Sequence, residues 1–187
     1  MDIRTPLDER TVRRLKLGET VYLSGNIVMG RDKVHMRALE YSRVGKEVPD
    51  CIAGSVLFHC GPIMVSTGKG WKTVAAGPTT SSRMDSLEPE MIRRFGIRAI
   101  IGKGGMSGEV GDAMREVGCV YLAAVGGTAV SLAETVAEVT GAEWEDLGMA
   151  EAVWKMRVDR MGPLIVAMDA NGGSLYENVR SKLIRGV

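Results

Sequence analysis

The sequence predicts an α/β fold whose core is a mostly parallel sheet. In its C-terminal half, short apolar runs alternate with longer amphipathic stretches, and glycine-bearing loops separate them. Strand, loop and helix repeated in this order predict parallel strands joined by right-handed crossovers. A hydrophobic fraction of 45% and a charged fraction of 25% are typical of a globular chain. We therefore expect one domain over residues 1–187, long enough to bury a core.

The N-terminal half predicts strands and helices that lead into a hairpin. Asp8 is suited to cap a short helix that runs through Leu15 and stops at Gly18. The elements expected after it are a strand over 20–29, a helix over 31–41, a strand over 54–58, a hairpin turn over 66–70 and a returning strand over 71–76.

The C-terminal half predicts three strand–loop–helix units and then a return to strands. The units are a strand near Val74 with loop 77–85 and a helix to about residue 95, a strand over 98–101 with loop 102–105 and a helix over 110–117, and a strand over 119–124 with a helix over 128–139. Strands over 152–158 and 164–168, a turn over 169–173 and a helix over 174–183 follow. Pro89 leaves two alternatives for the first crossover helix: a kinked helix from Arg83, or a start near Leu87 with Pro89 in the first turn.

The composition argues against several classes of partner. A net charge of +1 gives no long-range attraction to nucleic acid or to anionic membranes. The charged N-terminal segment lacks the apolar core of a signal peptide, and no apolar run approaches membrane-spanning length. We expect a cytoplasmic protein that binds neither nucleic acid nor a membrane.

The three cysteines are Cys51, Cys60 and Cys119, and none belongs to a Cys-x-x-Cys pair. An odd number argues against a disulfide framework. A three-thiolate iron–sulfur site is one interpretation. Buried thiols that pack as small hydrophobic groups are the other, and the apolar run around Cys119 favours it.

The loops bring cations to one edge of the predicted sheet, where open α/β sheets bind their ligands. Arg31 and Lys103 follow strands, and Arg83 lies near a predicted helix start, where a cation opposes the helix dipole unless an anion binds there. Each of them alone is equally typical of a solvated loop charge. Together, three cations suit a dicarboxylate, because arginine can grip a carboxylate through two hydrogen bonds.

Other site types are less well supported by the spacing of residues. Six residues separate Gly61 from Gly68, whereas a phosphate loop has four, and Ser107 replaces the third glycine of a dinucleotide loop. A regulatory domain that binds anions or nucleotides without catalysis stays an alternative. Ser82 and Asp85 have capping-box spacing, which leaves Thr79 and Thr80 without a role. Neither a Ser–His–Asp arrangement nor a His-Glu-x-x-His motif is present, so we do not expect a metal site within this chain.

Five blocks occur along the chain: LSGNIVMGRDKVH at 23–35, FHCGP at 58–62, GPTTSSRMD at 77–85, IGKGGM at 101–106 and GPLIVAMD at 162–169. With these blocks, residues 7–176 resemble the β subunit of the two-subunit iron–sulfur hydro-lyases, class I fumarate hydratase and L(+)-tartrate dehydratase. In many members of that family the same unit is the C-terminal domain of a longer chain.

The resemblance implies a swivelling β/β/α domain and the reversible hydration of fumarate to malate, with L(+)-tartrate dehydration as the alternative. It implies an α subunit whose own three cysteines hold a [4Fe-4S] cluster, so Cys51, Cys60 and Cys119 would bind no metal. Without that α subunit, the chain is expected to be inactive.

The motif positions imply a role for each candidate residue. Thr79 resembles the catalytic base, whose alkoxide would need a helix N-terminus and nearby cations. The residues that resemble ligands of the substrate carboxylates are Arg31, Arg83 and Lys103. The supporting candidates are Thr80, Asp32, His35 and Gly104, although a capping or surface position is the ordinary interpretation of His35. Lys33 stands where the family commonly has alanine, which bears on substrate choice.

Overall fold

The computed structural model describes residues 1–68 and 70–185, which form a mixed α/β structure. The strands are β1 (Asp2–Arg4), β2 (Thr20–Gly30), β3 (Val56–His59), β4 (Ile63–Ser66), β5 (Trp71–Ala75), β6 (Ala99–Gly102), β7 (Val120–Ala124), β8 (Val136–Glu143) and β9 (Val153–Met168). The helices are α1 (Glu9–Arg14), α2 (Asp32–Arg43), α3 (Glu88–Phe95), α4 (Gly108–Val117), α5 (Ala129–Glu134) and α6 (Leu175–Arg185). Short 3-10 turns lie at Asp50–Ile52, Ser81–Met84 and Glu145–Leu147.

One sheet of seven strands has the order β1-β2-β3-β6-β7-β9-β8, and β4 and β5 form a separate hairpin. The pairs from β1 to β7 in this order are parallel, whereas β9 runs antiparallel to its neighbours. The predicted mostly parallel sheet is therefore confirmed. Since β9 also pairs with β2, the strands β2, β3, β6, β7 and β9 close into a ring, which the sequence patterns did not reveal.

The long strand β9 closes this ring because it pairs along both of its edges. One edge pairs with β2, with Trp154 opposite Met29 and Ile165 opposite Thr20. The other edge pairs first with β8 and then with β7. The two strands predicted over 152–158 and 164–168 are thus parts of a single strand.

The central strands β3, β6 and β7 are buried on both faces, to which successive side chains of each strand point in turn. Phe58 and Ile101 belong to the hydrophobic cluster inside the ring. Their neighbours Leu57 and Ile100 belong to a second cluster outside it, which includes buried residues of α2, α3 and α4. Burial on both faces explains why these strands read as continuous apolar runs.

Two predicted elements are wrong. The helix expected over 128–139 ends at Glu134, and β8 begins at Val136, where β-branched residues favour a strand that pairs with β9. The strand near Val74 belongs to the hairpin and not to the sheet, because β5 pairs antiparallel with β4. The hairpin turn itself is confirmed by the bond from the Thr67 amide to the Gly70 carbonyl, 2.9 Å, although Lys69 lies outside the described residues.

The helix ends agree with the predicted caps in part. Asp8 caps α1 by accepting a 2.7 Å hydrogen bond from the Thr11 amide, but the helix ends at Arg14, with Leu15 as its C-cap, and not at Gly18. Helix α3 starts at Glu88 with Pro89 in its first turn, which selects the second alternative for this helix. None of the helices in residues 1–68 and 70–185 combines the length and the apolar character needed to cross a bilayer.

Candidate active site

Three chain segments meet where β2, β3 and β6 end. Because these strands are parallel, their carboxyl ends share one edge, and Gly30 of β2 lies opposite His59 of β3. The loop after β5 also reaches this edge, although β5 is not part of the sheet. There the Thr79 amide donates a 2.8 Å hydrogen bond to the His59 carbonyl.

The segment Thr79–Ser81 lies alongside Lys103. The Ser81 amide donates to the Lys103 carbonyl over 3.0 Å, and the Lys103 amide donates to the Thr79 carbonyl over 3.4 Å. Thr80 forms a parallel bridge with Lys103. Gly104 has a φ of +83°, and a Cβ there would lie 3.6 Å from the Thr80 methyl group. The Lys103 side chain is exposed.

The two predicted arginines meet at Asp32. Arg83 Nη2 lies 3.1 Å from Asp32 Oδ1, and Arg31 Nε lies 3.8 Å from Asp32 Oδ2. Arg31 also donates to Glu151 Oε1 over 2.6 Å, so its guanidinium is held from two sides. The Arg31 side chain is 26% exposed and the Arg83 side chain is 52% exposed. Arg83 is therefore more available than Arg31 to an incoming anion.

Two arguments that led to this edge are wrong in detail. Arg83 lies in the 3-10 turn Ser81–Met84, so it is not at the start of α3, and the dipole of that helix does not explain it. The capping box of Ser82 and Asp85 does not form. Asp85 instead accepts a 3.2 Å hydrogen bond from the amide of Ser107, before α4.

A buried polar cluster lies behind this edge, and His35 belongs to it. His35, His59 and Glu88 are fully buried, so the interpretation of His35 as a surface histidine is wrong. His35 Nε2 lies 2.8 Å from Glu88 Oε2. His59 Nε2 lies 3.2 Å from the same oxygen, in a contact that is not a well-aligned hydrogen bond.

The partners of His35 determine its charge. Its Nδ1 faces the Arg31 carbonyl at 2.9 Å, and a carbonyl oxygen only accepts hydrogen bonds. Its Nε2 faces Glu88, so an ionised carboxylate requires protons on both ring nitrogens, which makes His35 an imidazolium. Burial lowers the pKa of His35, but Glu88 outweighs this effect and the net pKa is raised. Burial also acts on Glu88, where it raises the pKa, but His35 and His59 lower the pKa of that carboxyl to about 2.

Ser81 extends this cluster toward the loop. Tyr121 donates a 2.9 Å hydrogen bond to Ser81 Oγ, which lies 2.9 Å from His59 Nδ1. Since Ser81 accepts from Tyr121, its own proton is free to point to His59 Nδ1. This direction requires a neutral His59, and burial lowers the pKa of His59. A Cβ at Gly102 would lie 1.9 Å from Ser81 Oγ, so only glycine leaves room for the hydroxyl.

The free energy of unfolding should fall at acid pH because of Glu88. The pKa of this carboxyl is lowered in the folded chain, so its contribution is present above the ordinary pKa of 4.5 and is lost as pH falls toward about 2. Urea unfolding from pH 6 to pH 3 should therefore show a slope of stability against pH that increases below about pH 4.5 more in the wild type than in Glu88→Gln, because the neutral buried histidines of the variant already cost it stability from about pH 6. An equal increase in slope in the two proteins would contradict this assignment.

The three thiols cannot share one cluster. Cys60 lies inside the ring, whereas Cys119 is buried in the outer core and Cys51 packs against that core from a half-buried position. Burial raises the pKa of Cys60 to about 12, which disfavours a thiolate ligand. These residues do not fit an iron–sulfur cluster, and the interpretation as packed hydrophobic groups is confirmed for the two fully buried thiols. In the described part of the chain, His35, His59 and Glu88 are the potential metal-ligand group, with ligand atoms within 4.8 Å of one another.

Comparison with known proteins identifies the family of this chain. The model of the Fumarase C-terminus family matches residues 1–179. The chain belongs to the Fumarase C-terminus family. A putative L(+)-tartrate dehydratase subunit beta of Methanocaldococcus jannaschii is 43% identical over 95% of the chain and 91% of that protein. An L(+)-tartrate dehydratase subunit beta of Escherichia coli K12 is 36% identical over 92% of the chain and 85% of that protein.

A third relative of this Fumarase C-terminus chain is much longer. A putative fumarate hydratase class I of Geobacillus stearothermophilus is 37% identical over 95% of the chain, which spans only 34% of that protein. The relatives are thus named as hydratases or dehydratases, and the resemblance read from the five sequence blocks is confirmed.

Sequence reasoning missed Glu151, Glu88, His59, Ser81 and Tyr121 as parts of this region. The sequence does not show these contacts, because the residues that form them lie far apart in the chain. One signal was available, because the chain has only two histidines and both lie within apolar patterns. His35 shares the buried face of α2, and His59 ends a fully buried strand. A polar side chain at such positions needs a buried partner.

Proposed function

We propose that this chain is the β subunit of an iron–sulfur hydro-lyase that reversibly hydrates fumarate to malate in the cytoplasm, as a step of the tricarboxylic acid cycle. It is a single swivelling β/β/α domain that works with an α subunit and a C4 dicarboxylate, without nucleic acid or membrane. One observation carries the proposal: Lys103, Arg83 and Thr79 lie on neighbouring segments of one edge. Free thiols on this chain agree with a reducing compartment.

The cations of the edge would bind the two carboxylates. Lys103 and Arg83 are exposed, so each can approach a substrate oxygen without first giving up a buried partner. Arg31 is held by Glu151, which fixes its guanidinium before the substrate arrives. Such preorganisation lowers the entropic cost of binding.

Thr79 would remove the proton next to the carboxylate. A threonine hydroxyl is a weak base, and the positive charges of Lys103 and Arg83 nearby would lower the cost of the alkoxide. The [4Fe-4S] cluster, which we assign to the α subunit, would supply Lewis acidity for the departing hydroxide. The supporting residues keep this arrangement: Thr80 and Gly104 flank Lys103, and Asp32 joins the arginines.

L(+)-tartrate dehydratase is the second candidate. The names of the relatives from Methanocaldococcus jannaschii and Escherichia coli favour it. Tartrate carries one more hydroxyl group than malate, so discrimination between these two substrates would depend on polar groups near the edge. Lys33 is one such group, since its amide lies 3.2 Å from Glu151 Oε2 and its side chain is exposed.

Reconstitution tests both candidates in one assay. The purified chain is mixed with an iron-loaded α subunit, and the hydration of fumarate and the dehydration of L(+)-tartrate are followed side by side. We expect interconversion of malate and fumarate by the pair and none by either subunit alone. Turnover of tartrate alone would favour the second candidate. Activity with neither substrate, together with nucleotide binding by the isolated chain in calorimetry, would favour the regulatory alternative.

A further inference from the structure

We propose that Glu88 is a positioning residue, which holds the two halves of the anion-binding edge together from behind. One half carries Arg31 at the start of α2, and the other carries Thr79 and Thr80 ahead of Ser81. Glu88 touches neither half directly and acts through His35 and His59. The catalytic consequence of this role rests on the proposed hydro-lyase function, whereas the geometric consequence does not.

The contacts form one continuous path between the two halves. On one side, His35 contacts Glu88 through Nε2 at 2.8 Å and the Arg31 carbonyl through Nδ1 at 2.9 Å. On the other side, His59 lies 3.2 Å from Glu88 and 2.9 Å from Ser81 Oγ. All four side chains between the ends of this path, including Ser81, are completely buried. Because water cannot replace a lost partner there, each contact constrains the next.

The electrostatics make Glu88 the centre of this path. Its Oε2 faces both histidines, while its Oε1 has no hydrogen-bond partner among the residues that the structure describes. Burying a carboxylate without full hydrogen bonding costs free energy of folding. Replacing a buried ion pair by apolar residues of equal volume often leaves the stability of a protein unchanged. A fixed geometry at the edge is the function that such a carboxylate and the adjoining imidazolium can serve.

Ser81 is held by residues of several strands and not only by its neighbours in the loop. Tyr121, on β7, anchors Ser81 from a third strand, and Gly102 lacks the Cβ that would displace the hydroxyl. Ser81 is therefore fixed by residues of β3, β6 and β7 at once. Thr79 is only two residues from Ser81, so a shift of Ser81 would also move the proposed base.

Glu88→Gln in the assembled enzyme is the first test. The amide keeps the shape of the side chain and removes its charge, so the bridge between the histidines weakens. We expect kcat to fall by about 10²-fold, which is typical of a misplacement of about 1 Å, with a smaller rise in KM. Glu134→Gln is the matched control, because Glu134 is an exposed residue at the end of α5. Wild-type kcat and KM in Glu88→Gln would overturn the proposal.

Nuclear magnetic resonance of the full chain gives a readout that does not depend on turnover. At pH 7, ring nitrogen shifts should show a cationic His35 and a neutral His59 in the wild type, and the cationic signal should disappear in Glu88→Gln. Amide signals of Arg31 and Thr80 should shift in Glu88→Gln and stay in place in Glu134→Gln. If these results hold while the reconstituted enzyme shows no hydro-lyase activity, the proposed function fails and the positioning path stands.

Tyr121→Phe is the second variant, for the case that Glu88→Gln does not fold. It keeps the buried ion pair and removes only the hydroxyl that donates to Ser81. We expect a folded protein whose kcat is about 10-fold lower, in line with the loss of one buried hydrogen bond. An unchanged kcat would contradict the path. Metal analysis of the wild-type chain completes the test, because one tightly held zinc ion per chain, lost in Glu88→Gln, would make the cluster a metal site instead.

Discussion

Replacing Thr79 by alanine should lower kcat of the assembled enzyme by about 10²- to 10⁴-fold, the usual contribution of a general base. The backbone of Thr79 is tied on two sides, by its amide to His59 and by its carbonyl to Lys103. Neither bond uses the hydroxyl, so alanine should leave the loop in place. KM for the dicarboxylate should change little, because Lys103 and Arg83 are untouched. Steady-state kinetics with malate measure both parameters.

Two further variants separate the hydroxyl from the loop that carries it. Thr79→Ser keeps a hydroxyl and should retain a substantial part of the activity. Ser82→Ala removes an exposed hydroxyl three residues away and should behave like the wild type. A nearly normal kcat in Thr79→Ala would place the base on another residue or on the α subunit.

The candidate edge could be predicted from the sequence because its parts are local. A loop that follows a parallel strand must leave at the carboxyl end of that strand, so the sequence predicts Arg31 and Lys103 at the same edge of the sheet. Thr79 reached the same edge by a different route, since β5 lies outside the sheet and backbone bonds to His59 and Lys103 bring the loop back. Thr79 therefore lies at the predicted edge, although the strand near Val74 that was expected to lead there belongs to the hairpin.

The ring of strands and the buried cluster could not be predicted, because both depend on partners far apart in the chain. A strand pattern over 152–158 does not show whether β9 has one neighbour or three. The pattern over 128–139 predicts a helix that extends past Thr135, yet pairing with β9 favours the strand β8 there. Glu88 has the position of an ordinary first-turn carboxylate, and only the fold places it against two histidines.

Replacing Arg83 by methionine should raise KM for the dicarboxylate by about 10- to 100-fold, since charge-assisted hydrogen bonds contribute about 1.5–3 kcal/mol. Arg83 is bound to Asp32 through Nη2, and its half-exposed guanidinium has further N–H groups to offer. Arg83→Lys should recover only part of the affinity, because an ammonium group cannot form the same pair of parallel bonds. Arg93→Met is the matched control: its side chain is 44% exposed and also pairs with a carboxylate, that of Glu116, on a different helix.

The carboxylate of Asp32 sharpens this test. In Arg83→Met, Asp32 loses its 3.1 Å partner and keeps Arg31 only at 3.8 Å, so a negative side chain would face an anionic substrate. Part of the rise in KM should come from this repulsion. Arg83→Met combined with Asp32→Asn should therefore bind the dicarboxylate more tightly than Arg83→Met alone. If Arg83→Met leaves KM unchanged, or if Arg93→Met raises it equally, Arg83 does not bind the substrate and the edge needs another cation.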